Sequence, residues 1–254
     1  MNDTITAVKA VSLAARMISG SGGETYRAEE TVRLMFNGFG YSKIEVLAFP
    51  TGITFTLYTD DNTSFTRIVR IPSRKVDLKI LDDCNTVSRK VAKGLMTPEE
   101  AYRALKEIEN ERPMPSIVFA LACGFSSAFF TLLFDGHLPD FAVSFVCGFL
   151  TQWILVLMSR HRVPGVISGM IASFFSALIT LSCHRIWPVL QVESIISGAI
   201  MPLVPGWALT NAIRDTIWGD LISGGAKTTE ALLTAITLGA GIGIVFSIWG
   251  SLIG

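Results

Sequence analysis

The chain has 254 residues, of which 50% are hydrophobic and only 17% are charged, and its mean hydropathy is +0.50. This composition is too apolar for an ordinary soluble domain and is typical of a membrane protein. Basic and acidic residues number 21 each, so no excess of positive charge predicts nucleic-acid binding. However, 16 of the basic and 15 of the acidic residues precede Pro113. We therefore expect two parts that lie in different solvents.

The first 112 residues predict a compact α+β domain. Apolar residues recur at helical spacing in four stretches, and the period changes to two in three stretches between them. The helices are predicted at 5–19, 25–37, 76–93 and 97–111, and the strands of a meander at 43–50, 51–59 and 64–71. Capping boxes are predicted at Ser21 with Glu24 and at Thr97 with Glu100, where Pro98 occupies the first turn.

Apolar segments of membrane-spanning length follow. A helix needs about 20 residues to cross about 30 Å of hydrocarbon. Such segments lie at 115–134, 139–158, 163–183, 194–210 and 229–252. The predicted fold class is a membrane protein, with an N-terminal cytoplasmic α+β domain at 1–112 and an all-α bundle of about five transmembrane helices at 113–254. Arginine and lysine in the short loops favour a cytoplasmic N-terminus and an external C-terminus in the cell (inner) membrane.

The fourth apolar segment contains Pro202, Pro205 and Gly206. A proline inside a helix removes a backbone donor and clashes with the preceding turn, at a cost of about 3 kcal/mol or more. Irregular backbone at membrane depth is tolerated only where protein or a water-filled cavity surrounds it. The segment therefore predicts a broken helix of the kind that lines transporter sites. The alternative is a span that ends at Pro202 and continues as an interfacial helix.

Polar residues follow this break. On a helical wheel, Asn211 and Asp215 lie one turn apart on one face with Arg214 beside them, while Asp220 falls about 140° from Asp215. An ionised side chain at the membrane midplane costs about 2.5 to 3.5 kcal/mol or more, so this face should meet a cavity, a partner or the cytoplasm. Asp215 is the candidate titratable transport residue. The alternative is a solvated helix face.

No metal or cofactor site is predicted. The three histidines, His137, His161 and His184, lie in loops at no metal-binding spacing, and H-E-x-x-H is absent from the sequence. The four cysteines show no C-x-x-C spacing, so neither a zinc site nor a disulfide framework is indicated.

Three sequence blocks carry a resemblance to a known family. They read SGGETYRAEETVRLMFNGFG, FPTGITFTLYT and AIMPLVPGWALTNAIRDTIWGDLISGGAKTTEALLTAITLGAGIG. Together they resemble the threonine/serine exporter family, in particular the larger subunit of its split two-component form. The resemblance implies a cytoplasmic domain before about five spans and a smaller membrane protein that completes the carrier. It further implies export of threonine and serine driven by the proton motive force, or export of a dicarboxylate such as succinate.

The resemblance also selects site residues. The family motif corresponds here to Gly20, Glu24 and Arg27 in the cytoplasmic domain, and in the last block to Pro202, Pro205, Gly206, Asn211, Arg214, Asp215, Gly219, Asp220 and Gly224. We expect Arg214 to attract a substrate carboxylate, with Asn211 and the broken segment completing the substrate site. Asp215 or Asp220 would exchange a proton.

The favoured hypothesis is a transporter subunit, not an enzyme, that contacts membrane lipid, a small polar substrate and either a smaller integral-membrane subunit or further copies of itself. A membrane-anchored sensor with a ligand-binding cytoplasmic domain is the alternative. An intramembrane aspartyl enzyme is a third hypothesis, and it would require a kink at Gly219 to bring Asp215 and Asp220 together.

Overall fold

The computed structural model describes residues 2–59 and 63–253. Its contacts divide the chain into two compact units. The first unit comprises Met1–Arg112 and Trp207–Thr229, and the second comprises Pro113–Gly206 and Glu230–Gly254. Segment 207–229, which the sequence analysis places in the transmembrane domain, therefore packs with the N-terminal residues.

The N-terminal part of the first unit is a layer of helices over a three-stranded sheet. Its elements are α1 (Asn2–Gly20), α2 (Thr25–Gly38), β1 (Lys43–Phe49), β2 (Gly52–Tyr58), β3 (Ser64–Arg70), α3 (Leu78–Ala92) and α4 (Pro98–Asn110). The strands pair antiparallel in the order β1-β2-β3, which confirms the predicted meander. The central strand β2 alternates as its period of two requires, with Ile53, Phe55 and Leu57 buried.

The core of this unit forms where α1 and α2 cover the sheet. Small buried residues of α1, among them Ala7, Ala10 and Ala14, allow close helix packing. Phe36 of α2 meets Phe55 of β2 edge to face, with ring centroids 5.3 Å apart. These contacts hold α2 against the sheet, and the first residues of α2 carry part of the candidate site.

The two predicted capping boxes have different outcomes. The box at Thr97 is confirmed, since Glu100 N donates to Thr97 Oγ1 at 3.3 Å and Thr97 N donates to Glu100 Oε2 at 2.9 Å. The box at Ser21 is wrong. Helix α2 begins at Thr25 with Glu24 as its N-cap residue, and the Glu24 side chain makes no capping bond. Its carboxylate pairs with arginines instead.

The second unit consists of long apolar helices. They are α5 (Ser116–Leu133), α6 (Leu138–Arg160), α7 (Gly165–Ile186), the shorter α8 (Val192–Ile200) and most of α10 (Leu221–Ile253). Among the described residues, α5, α6, α7 and α10 are long and apolar enough to cross a membrane. Small residues let these helices approach, since a Cβ on Gly198 of α8 would overlap the Thr131 side chain of α5.

The predicted break in the fourth span is confirmed. Helix α8 ends at Ile200, Met201–Leu203 forms a single 3-10 turn, and α9 runs over Gly206–Ile217. The two helical pieces meet at a bend of 56°. The described residues thus contain four candidate spans, or five if this bent pair is counted as one.

The last helix is longer than the predicted span at 229–252. Helix α10 has 33 residues, or about 50 Å at about 1.5 Å per residue, which exceeds the hydrocarbon thickness. Its residues 221–229 belong to the first unit and its remaining residues to the second.

Candidate functional site

Helix α9 is amphipathic, and its polar face packs inward within the first unit. Asn211 and Asp215 are buried there, while Ile213 and Ile217 on the opposite face are 55% and 77% exposed. This is the reverse of an ordinary soluble helix, which buries its apolar stripe. In the structure, the polar face contacts the N-terminal part of the same chain.

Asp215 lies at the centre of the buried contacts. Its Oδ1 accepts from the backbone N–H of Thr25 at 3.2 Å, and its Oδ2 accepts from the Thr25 hydroxyl at 2.8 Å. Lys227 of α10 donates to the same Oδ2 from Nζ at 2.6 Å. Asp215 has no exposed surface and Lys227 is only 6% exposed. The three residues form a charged cluster, which we call the Asp215 cluster.

The burial of this cluster makes each of its charges depend on the other. Removing two charges from water is costly, and only their mutual attraction and further hydrogen bonds offset that cost. Thr25 is the first residue of α2, so the positive end of the α2 dipole adds to the stabilisation of the Asp215 carboxylate. Replacing Asp215 by a neutral residue would leave Lys227 as a buried cation without its counter-ion.

A second ion pair, between Glu24 and Arg214, lies beside the Asp215 cluster: Glu24 precedes Thr25 in the chain and Arg214 precedes Asp215. Arg214 Nη1 donates to Glu24 Oε1, and Arg27 Nε lies 3.8 Å from Glu24 Oε2. Glu24 is 4% exposed, whereas the two guanidinium groups are about half exposed. The Glu24 carboxylate thus binds between two arginines at the edge of the domain.

The turn before α2 supplies backbone acceptors. The carbonyl of Gly22 accepts from Trp207 Nε1 and from Asn211 Nδ2, both at 2.8 Å. Gly22 has φ +85°, a conformation that glycine adopts without strain, so it suits this turn. Tyr26 and Trp218 stack with ring centroids 5.2 Å apart. These contacts attach both ends of α9 to the sequence block around Gly22.

Helices α9 and α10 are joined by a tight turn. Gly219 adopts φ +92°, and Asp220 N donates to Asp215 O at 2.9 Å. Burial raises the pKa of the Asp220 carboxyl, and the negative charges of Glu29 and Asp215 raise it further, while Lys227 acts in the opposite direction. Asp220 is therefore easier to protonate than an ordinary aspartate.

The structure brings together five of the candidate residues around the 22–27 turn. These are Glu24, Arg27, Asn211, Arg214 and Asp215. Gly20 lies apart from them, since its carbonyl accepts from Lys75 N at 2.8 Å. Pro202, Pro205 and Gly206 form the break between α8 and α9 and belong to the second unit.

The turn at Gly219 that the aspartyl-enzyme hypothesis requires is present, but the Asp215 carboxylate has other partners. Both oxygens of Asp215 accept hydrogen bonds from Thr25 or Lys227. An acid–base dyad instead needs two carboxyl groups that share a proton. Among the described residues, the charged group that donates to Asp215 is the ammonium of Lys227.

Sequence reasoning missed Thr25 and Lys227. Lys227 lies at the start of an apolar segment, and an ionisable residue in such a place is itself a signal of a buried partner. Thr25 lies inside the SGGETYR block, but no local pattern links it to Asp215, which is 190 residues away.

The fold and site define a multi-span membrane protein whose amphipathic helix is ion-paired to its N-terminal domain, and comparison with known sequences identifies its family. Residues 9–249 match the family model described as "Putative threonine/serine exporter". The chain belongs to this family.

Individual relatives fall into two length classes. The chain is 21% identical to a "Probable succinate transporter subunit" of Klebsiella aerogenes, covering 90% of the chain and 88% of that protein. It is 20% identical to the protein of the same description in Escherichia coli, covering 90% of the chain and 89% of the relative. It is 22% identical to a "Probable threonine/serine exporter" of Mycobacterium tuberculosis, covering 79% of the chain but only 37% of that relative. No solved structure matches the chain at a significant level.

Proposed function

We propose that this protein is the larger subunit of a two-component secondary transporter that exports small polar metabolites. The proposal rests on how much of each relative the chain covers. The match extends over 88% and 89% of two relatives that are named as transporter subunits, but over only 37% of the longer relative named as an exporter. A partner chain would then supply the remaining spans.

The proposed location is the cell (inner) membrane. The loop between α5 and α6 has neither lysine nor arginine, whereas the loop between α6 and α7 follows Arg160 and contains Arg162. Cytoplasmic loops carry the excess of basic residues, so the loop charges support a cytoplasmic N-terminus and an external C-terminus. The charged Asp215 cluster would then lie on the cytoplasmic side.

The proposed substrates are threonine and serine, or a dicarboxylate such as succinate. All of them carry a carboxylate, which matches a guanidinium in bidentate geometry. Arg214 is half exposed and binds the Glu24 carboxylate. A substrate carboxylate would therefore compete with Glu24 for Arg214. Asn211 and the backbone of the break at Pro202, Pro205 and Gly206 would supply further polar contacts.

The proposed coupling ion is the proton. Asp215 would exchange it, because protonation of this carboxyl breaks the pair with Lys227 and so weakens the attachment of α9 and α10 to Thr25. Asp220 follows the turn at Gly219, and burial and neighbouring negative charge raise its pKa, so it would take up the proton as well. Proton transfer would thus change how firmly α9 is held.

The proposed partner is a smaller integral-membrane protein, and a homo-oligomer of this chain is the alternative. Many transporters combine two repeats around a site near the midplane. The four or five candidate spans described here would form one such half. Lipid would surround the assembled helices.

The test is an efflux experiment on cells preloaded with threonine, serine or succinate. One strain makes this chain alone, and another makes it together with a candidate smaller membrane subunit from the same genome. Efflux only with both chains supports the two-component proposal and identifies the substrate class, and efflux from this chain alone supports the homo-oligomer. If no substrate leaves either strain although both proteins reach the membrane, the transporter proposal fails and the sensor alternative takes its place.

A further inference from the structure

A cavity of about 280 Å³ opens in the first unit, on a different set of residues from the Asp215 cluster. It lies between α1, α4 and β3, the edge strand of the sheet. Small-molecule sites in proteins are commonly about 300 to 1,000 Å³, so this cavity is at the small end of that range.

Five cationic residues from three elements line this cavity. Lys9 and Arg16 lie two turns apart on one face of α1, Lys106 comes from α4, and Arg67 and Arg70 come from β3. Tyr102, one turn before Lys106, adds an aromatic ring beside them. The fold therefore brings together cations that are far apart in the sequence.

These charges are only partly neutralised. Glu109 pairs with Arg16 and also accepts from Lys106 Nζ at 2.6 Å. Among the described residues, Lys9, Arg67 and Arg70 have no ion pair. The five cationic residues and their one carboxylate partner have a formal net charge of +4.

Composition does not explain this concentration of charge. The first 112 residues carry 16 basic and 15 acidic side chains, so a random arrangement would intersperse the two signs. Like charges that line one concave surface repel each other and focus a positive potential into it. Such a potential attracts an anion of high charge.

We propose that this cavity binds a phosphorylated small molecule. Guanidinium groups bind phosphate oxygens in bidentate geometry, and ammonium groups add point charges. Each phosphate group carries about −1.5 to −2 charge near neutral pH, so two of them match the +4 of the cavity. The ring of Tyr102 and the apolar side chains of Leu13 and Ile68 provide a surface for the organic part of the ligand.

The phosphate groups could belong to a free metabolite or to an anionic lipid headgroup, and one labelling experiment distinguishes them. The full chain is purified in neutral detergent, and lysines are acetylated briefly with and without pyrophosphate. Mass spectrometry then reads the extent of modification at Lys9 and Lys106. The exposed lysines Lys43 and Lys93 serve as internal controls.

Binding of a free phosphate compound predicts at least several-fold protection of Lys9 and Lys106 by pyrophosphate, with Lys43 and Lys93 unchanged. The protection should disappear in Arg67→Gln/Arg70→Gln and persist in Lys43→Gln/Lys93→Gln, which removes the same charge elsewhere. The four substituted side chains are exposed, so these variants should fold.

The lipid source predicts a different result. Lys9 and Lys106 would then be protected in nanodiscs that contain phosphatidylglycerol, but not in phosphatidylcholine nanodiscs and not by pyrophosphate. Equal labelling of the cavity lysines in every condition, or protection that the Lys43→Gln/Lys93→Gln variant also loses, would overturn the proposal.

Discussion

Asp215 and Lys227 are 12 residues apart in the chain, and their charged atoms lie 2.6 Å apart in a nearly fully buried pair. The tight turn at Gly219 allows this contact, because it ends α9 and leads directly into α10. Both residues also contact Thr25 at the start of α2. One ion pair thus joins three helices.

The first prediction concerns the stability of this pair. Breaking a buried ion pair by removing one partner costs about 3–5 kcal/mol, because the other charge remains buried. We expect Lys227→Met to lower the unfolding temperature of the purified protein strongly, and Asp215→Asn/Lys227→Met to regain much of the loss. If Lys227→Met is as stable as the double variant, then the Asp215 charge left without Lys227 does not destabilise the protein, and the prediction is wrong.

The same double variant tests proton coupling. It removes the titratable carboxyl while leaving an amide that still accepts from Thr25. We expect it to reach the membrane and to show no proton-driven efflux. Efflux at the wild-type rate, measured with matched protein amounts, would remove Asp215 from the mechanism.

The second ion pair predicts an effect on substrate affinity. Glu24→Gln leaves Arg214 without its carboxylate partner, so a substrate carboxylate no longer competes with Glu24. We expect the KM for efflux to fall by a few-fold in Glu24→Gln and to rise in Arg214→Gln. Glu30→Gln, which removes an exposed carboxylate of the same helix, is the control and should leave KM unchanged. A rise in KM in Glu24→Gln would argue that Glu24 itself belongs to the substrate site.

Two adjacent glycines in α10 give a matched test of how closely α9 and α10 pack. A Cβ on Gly224 would lie 2.9 Å from the Ala212 carbonyl oxygen, whereas a Cβ on Gly225 would meet nothing within 4 Å. Both alanine substitutions gain helix propensity, by about 0.5–1 kcal/mol. In Gly224→Ala, overpacking should oppose this gain, because it destabilises the protein by about 1–3 kcal/mol. The unfolding temperature of Gly225→Ala should therefore lie above that of wild type, and that of Gly224→Ala below it. Equal unfolding temperatures for the two variants would show that α9 and α10 can move apart without cost.

Asp220 predicts a pH dependence. Its pKa is raised in the folded protein, so it contributes stability that is complete below the unfolded pKa of about 3.9 and is lost as pH rises through the folded value. Asp220→Asn should remove this loss, so the variant should gain in unfolding temperature relative to wild type as pH increases from about 4 towards 7. Asp82→Asn, at an exposed site on α3, is the control. A difference between Asp220→Asn and wild type that stays constant with pH would show that Asp220 does not titrate in this range.

Local patterns in the sequence predict the elements of the first unit well. Strand β2 at Gly52–Tyr58 lies within the predicted 51–59, because alternation and turn residues act over a few positions. The start of α10 was missed by eight residues, since the prediction followed hydropathy. Hydropathy reports which part of a helix suits lipid, whereas the helix itself continues into the polar segment around Lys227.

The site was predictable only in part. The helical wheel shows that Asn211, Arg214 and Asp215 share a face that needs a polar partner, but it cannot name one. The partners Glu24 and Thr25 lie 190 residues earlier, and their contact depends on the tertiary fold. The Ser21 capping box failed because α2 begins at Thr25, so Glu24 and not Ser21 is the N-cap residue.

The first unit is discontinuous in the chain, and this has a consequence for biogenesis. Residues 1–112 leave the ribosome first, but the segment 207–229 that covers Glu24 and Thr25 is made only after α5, α6 and α7. Until that segment is made, the Glu24 carboxylate and the start of α2 are exposed to water. A chaperone or a neighbouring chain has access to that surface for this interval, and its closure marks the point at which most of the membrane helices have already been translated.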